Sequence, residues 1–217
     1  MDKSNYRNMW VHVEHDGEKI HPVTLELCSE IRKLCDQSGD KLIAVSAGEL
    51  PESELEKLRG CGADGVIIAT GKGYTRYSTE AYSDLYVQLV NKYTPSAVFV
   101  GATVNGRDFA PHFAACLETG CTSDATELIY NPETKDIEFV EPAAGGKIMA
   151  VITIPVLRPQ VGTIRPGTFK ISRRPSGLRK TNLIDNSLAH RTTWLRSDLG
   201  SKLFFLFFLF YGFRHFF

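Results

Sequence analysis

Four times within the first 120 residues, a short apolar run is followed by a stretch with helical spacing. Met9–Val13 reads as a first strand. Pro22 then opens a helix, since proline is tolerated in a first helical turn. Leu27, Ile31, Leu34 and Cys35 form the i, i+4, i+7, i+8 stripe of that helix. Leu42–Val45 is apolar without alternation, as expected of a strand covered on both faces. Ser53–Arg59 supplies a short helix that Gly60 and Gly62 can end, and Gly65–Ala69 is a third strand. Ser78 suits the N-cap of a helix packing Tyr82, Leu85, Leu89 and Tyr93. Ala97–Gly101 is a fourth strand, and Gly106–Leu117 a helix burying Phe109, Phe113, Cys116 and Leu117. Strand and helix alternating over short links select an α/β domain with a parallel sheet and right-handed crossovers.

The alternation then stops. Ile137–Val140, Ile148–Ile154 and Val161–Ile164 are strand-like pieces separated by Pro and Gly, expected to extend the sheet or to form a small flap. After about Lys170 the periodicity ends. Residues 158–217 hold eleven basic against two acidic residues, a net of +9, whereas residues 1–157 hold 14 basic and 23 acidic, a net of −9. The overall net charge of zero therefore averages two unlike segments and says nothing about partners. Eight of the thirteen Phe lie in the last fourteen residues, so the end of the chain reads as an irregular tail, an aggregation hazard or an interaction patch. The expected division is 1–170 as one domain and 171–217 as a basic, then Phe-rich, tail.

Five cysteines, odd in number and without CxxC, read as reduced buried thiols of a cytoplasmic protein. Cys116 and Cys121 are expected to pack, since nothing basic beside them would lower a redox thiol. The N-terminus has no apolar h-region. The apolar run Leu203–Tyr211 is nine residues, short of the roughly 20 a membrane span needs.

The sharpest local feature is Gly101-Ala-Thr-Val-Asn-Gly106-Arg107-Asp108, at a strand–loop–helix junction. Gly101 and Gly106 have P-loop spacing, but a phosphate cradle needs Lys at 107 and a hydroxyl at 108. Asp108 would repel phosphate and instead complements a helix dipole, while Arg107 is left for a partner or ligand. The location matters, because open α/β sheets bind ligands at the carboxyl ends of their strands. Gly71-Lys72-Gly73-Tyr74 lies at the same end and reads as a ligand loop or a surface turn. His12 and His15, three apart, would point to opposite faces of a regular strand and read as surface residues, so no metal site is expected. No Ser or Cys has an evident base, and hydrolysis is not indicated. Arg158-Pro159 and Arg165-Pro166 flank a short strand. Each Pro holds the preceding Arg extended, so the pair suits carboxylate or phosphate recognition, a subunit interface, or an edge strand with solubilising arginines.

Taken together, Gly101-Ala-Thr with Gly106–Pro111, Gly120-Cys-Thr-Ser-Asp124-Ala-Thr, Gly145-Gly146-Lys-Ile-Met149-Ala150, Arg158-Pro159-Gln160 and Arg165-Pro166-Gly167 resemble the alpha subunit of electron-transfer flavoprotein over roughly residues 8–170. The resemblance implies a Rossmann-like sheet of the adenine-nucleotide α-hydrolase type, and a beta subunit as partner. It implies electron passage between flavin dehydrogenases, such as acyl-CoA dehydrogenase, and an acceptor. In that family FAD is held by a second, C-terminal domain, whose motifs do not occur in residues 171–217. The expectation is thus a truncated or frame-shifted alpha subunit that does not hold FAD by itself, an electron carrier and no catalyst in its own right. Gly101, Gly106, Arg107 and Asp108 are its candidates for cofactor contact, and Arg158 and Arg165 for the partner interface. Nucleic acid is not an expected partner. Two alternatives stand beside this one. A nucleotide-binding module of universal-stress-protein type would need G-x2-G-x9-G-[ST] after the fourth strand, which is absent. A docking protein would use the Phe-rich tail as an anchor.

Overall fold

The computed structural model of the chain describes residues 2–74 and 76–173, together with the backbone of 182–186. The Phe-rich run and most of the basic tail lie outside the described residues.

The elements run β1 (Met9–Val13), α1 (Pro22–Ser38), β2 (Leu42–Ala47), α2 (Glu52–Gly60), β3 (Gly65–Ala69), α3 (Thr79–Tyr93), β4 (Ala97–Gly101) and α4 (Val104–Cys116). They continue as β5 (Cys121–Ala125), β6 (Glu127–Asn131), β7 (Asp136–Ala143), β8 (Ile148–Ile152), β9 (Gln160–Ile164) and β10 (Asn182–Asn186). Helix ends follow local chemistry. Pro22 sits in the first turn of α1, and Gly39 ends that helix in the left-handed conformation. Ser78 caps α3 by accepting from the Ala81 amide.

Among the described residues seven strands form one parallel sheet, in the order β10-β3-β2-β1-β4-β9-β5. Every residue of β1, β2, β3 and β4 is buried, because helices cover both faces. Successive side chains go to opposite faces. Met9, Val11, Leu42, Ala44, Val66 and Phe99 meet α1 and α2 on one side. Trp10, Ile43, Val45, Ile67, Val98 and Val100 meet α3 and α4 on the other.

β6, β7 and β8 form a separate antiparallel sheet. Its Leu128, Ile137 and Phe139 pack into the core on the α1 side. The late strands thus do both things expected of them: β9 extends the main sheet and β7 and β8 form the flap. β5, Cys-Thr-Ser-Asp-Ala, has no apolar run in the sequence. The apolar runs of β6, Glu-Leu-Ile-Tyr-Asn, and of β10, Asn-Leu-Ile-Asp-Asn, are too short to stand out, and β10 pairs in register with Gly65–Ala69 at the sheet edge. α4 buries Phe109 and Phe113 but leaves Cys116 exposed at its last residue, which corrects the expectation that this thiol is packed. Cys28, Cys35 and Cys61 are buried and free.

Candidate functional site

In a parallel sheet the strand order reverses where two crossovers leave in opposite directions, and the diverging loops open a crevice. Here β2 and β3 lie on one side of β1 and β4 on the other, so the reversal falls between β1 and β4. A cleft of about 820 Å³ opens at the carboxyl ends of these strands. His12, Glu14, His15 and Asp16 reach it from the end of β1, Gly48 and Glu49 from β2, and Tyr74, Arg76 and Tyr77 from the loop after β3. The Gly71–Tyr74 segment is thus part of a cleft wall.

His12 is 4% exposed, in contact with the rings of Tyr82, Tyr86 and Phe109. The Tyr86 hydroxyl donates to the Val45 carbonyl at 2.9 Å, so its oxygen receives the proton of His12 Nδ1 at 2.6 Å. Burial pushes the imidazole down to about 3, which keeps it neutral. The sequence reading of His12 as a surface residue is therefore overturned: a strand covered on both faces has no solvent side. His15 lies beyond the end of β1, where strand alternation no longer applies, and it lines the same cleft. Its Nδ1 accepts from the Gly17 amide at 3.0 Å, so Nε2 carries the proton and donates to the Ala47 carbonyl at 3.0 Å. Burial lowers its pKa as well. No group of three or more His, Cys, Asp or Glu among the described residues is placed to hold a metal ion.

The Gly101–Asp108 junction lies beside this cleft, and its geometry does not fit a phosphate or pyrophosphate. A Cβ on Gly106 would fall 1.8 Å from the Gly101 carbonyl oxygen, and a Cβ on Gly101 would fall 2.5 Å from Val23 Cγ1. Both glycines serve close packing of strand and helix. The Gly106 amide donates to Thr103 Oγ1 at 3.0 Å, and that hydroxyl donates to Glu14 Oε2 at 2.7 Å. The N-terminus of α4 thus already faces a carboxylate from β1's end. Arg107 is held by Asp124 through paired hydrogen bonds of 3.0 and 2.8 Å. Asp108 accepts from Thr79 and Tyr77, which hold its carboxyl below the usual carboxylate range.

The two Arg-Pro pairs part company. Arg165 is exposed, and its amide donates to Ala125. Arg158 is turned inward: its Nη1 donates to the carbonyls of Ile154 and Leu157, and its Nη2 to Asp136. With its side chain 2% exposed it cannot face a partner, which corrects the expectation for this residue. The sequence marks β8 as a strand but does not signal its exposure: Ile148, Met149 and Val151 are 60%, 52% and 57% exposed, with Val156 beyond it.

A seven-stranded parallel sheet with helices on both faces and a cleft at the reversal point defines an α/β domain of the nucleotide-binding type. The model of the electron transfer flavoprotein domain matches residues 9–187, and the chain belongs to that family. It is 39% identical over 170 residues to "Protein FixB" of Clostridium saccharobutylicum, covering 78% of this chain and 51% of that protein. It is 36% identical to the electron transfer flavoprotein subunit alpha of Clostridium acetobutylicum, with the same coverage. The acryloyl-CoA reductase electron transfer subunit beta of Anaerotignum propionicum is 34% identical, with 78% of this chain and 52% of that protein covered. The chain spans about half the length of these relatives.

Proposed function

We propose that this chain supplies the parallel-sheet domain of an electron-transfer flavoprotein alpha subunit in a bacterial cytoplasm. It pairs with a beta subunit and takes part in passing electrons between flavin dehydrogenases, such as acyl-CoA dehydrogenase, and an acceptor. The family match across residues 9–187, on a fold of the expected type, carries this reading. The names of the relatives support it, since one is the electron transfer subunit beta of an acryloyl-CoA reductase.

FAD belongs to the assembled complex in this proposal. The junction at Gly106 is given to strand–helix packing and to the Thr103–Glu14 hydrogen bond, and in this reading flavin supplies the redox chemistry from the complex. What this chain contributes is docking surface. Ile148, Met149 and Val151 on β8 present apolar side chains at the open edge of the small sheet, and such a patch marks an interaction site. Arg165 is the exposed guanidinium assigned to the same partner. No helix among the described residues is long and apolar enough to cross a membrane.

Co-expression with the cognate beta subunit tests the proposal. The expected result is co-elution as a one-to-one complex. Separate elution of both chains at micromolar concentration would overturn it.

A further inference from the structure

Three observations converge on the cleft at the carboxyl ends of β1 to β4. The first is a ring nitrogen that faces the cleft as an acceptor. His12 Nδ1 is bound to Tyr86, which leaves Nε2 as the ring nitrogen available to the cleft, unprotonated and with no hydrogen-bond partner among the described residues. An unprotonated ring nitrogen accepts a hydrogen bond from a ligand donor. The neighbouring His15 differs, since both of its ring nitrogens are already bonded.

The second is the aromatic wall. Tyr74 and Tyr77 each stand edge-to-face with Tyr82, at centroid distances of 6.3 and 5.1 Å, and all three line the cleft. Tyr77 is fixed by its hydrogen bond to Asp108 at 2.7 Å. Preorganised rings of this kind bind flat ligands. The third is charge. Among the described residues Glu14, Asp16 and Glu49 line the cleft against Arg76, and Glu14 takes the position at the α4 cap where a phosphate would otherwise sit. A cleft lined by one sign of charge repels anions of that sign.

We propose that this cleft binds an uncharged, planar, hydroxyl-bearing heteroaromatic ligand of the nucleoside class. The ligand donates an N–H to His12 Nε2, packs against Tyr77 and Tyr82, and offers hydroxyls to the carboxylates of Glu14 and Glu49. Phosphorylated forms of the same ligand are excluded by Glu14. The proposal does not depend on a beta subunit or on flavin.

Adenosine and AMP are the probes, titrated into the 217-residue chain by calorimetry. Saturable adenosine binding is expected, with AMP at least tenfold weaker. His12→Phe keeps the ring packing and is expected to weaken adenosine at least tenfold, and Glu14→Gln to narrow the discrimination against AMP. Should His12→Phe not fold, the wild-type protein still decides the matter, because the ¹⁵N resonance of His12 Nε2 must shift when adenosine is added. The proposal is overturned if adenosine does not saturate, if AMP binds as tightly as adenosine, or if the His12 resonance stays in place.

Discussion

Arg158 Nη2 donates to Asp136 Oδ1 inside the domain, with the two side chains 2% and 6% exposed. The pair joins the segment before β9 to the start of β7, and so ties the small sheet to the main one. Lys3 adds a second cation on Asp136 at 2.8 Å. Burial pushes the Asp136 carboxyl up, but the hydrogen bonds from Lys3, Arg158 and Thr134 together outweigh it and hold the group below its ordinary range.

Removing one partner of a buried pair costs about 3–5 kcal/mol, and the low end applies here because Lys3 still pairs with Asp136. Arg158→Ala is expected to destabilise by that order, and Arg158→Lys to recover only part, since lysine cannot span Asp136 and two carbonyls at once. Urea unfolding measures both. The depressed carboxyl pKa gives stability that is present above its unfolded value and lost as pH falls through the folded one. Asp136→Asn should flatten the acid limb of the stability curve.

His12 has the pH signature of a buried neutral imidazole. Its folded pKa of about 3 lies below the ordinary 6.5, so the unfolded state binds the extra proton between these values. Stability from this group is complete above about pH 6.5 and declines progressively toward pH 3. Denaturant midpoints should already fall between pH 6.5 and 5, above the range in which most carboxylates titrate. In His12→Phe that early decline should shrink to the share of His15, whose pKa burial also lowers.

At the β4–α4 junction the two glycines are expected to behave differently. Gly106→Ala drives a methyl into the backbone oxygen of Gly101, and should cost about 3 kcal/mol or more with no simple rescue. Gly101→Ala collides with a side chain, that of Val23, so the second change Val23→Ala should restore part of the loss. A double-mutant cycle in urea reads the coupling.

Much of this architecture is legible in the sequence, because burial on both faces leaves uninterrupted apolar strands. Gly65–Ala69 and Ala97–Gly101 fall where that pattern puts them, and Met9–Val13 falls where its alternation does. The same burial hides His12: a polar letter inside such a strand looks like a solvent position until Tyr86, 74 residues later, is known to meet it. Arg158 is misread for the same reason, since its partner Asp136 lies 22 residues away on another sheet. Arg107 looks free in the motif and is bound to Asp124 in the fold. What sequence spacing cannot supply is the long-range partner that decides whether a polar side chain turns in or out.

Strand β8 and Arg165 are expected to behave as surface. Val151→Lys and Arg165→Ala should each leave thermal unfolding nearly unchanged, since exposed positions away from special contacts shift stability by about 0.5 kcal/mol or less. Both should weaken beta-subunit binding, Val151→Lys by about tenfold or more if it lies at the centre of the contact.

The most direct test is a binding titration of this chain against the cognate beta subunit, read by mass photometry or sedimentation. The account predicts a saturable one-to-one complex that Val151→Lys disrupts while the fold persists. Absence of any complex at micromolar concentrations, or a complex indifferent to changes on β8 and at Arg165, would contradict it.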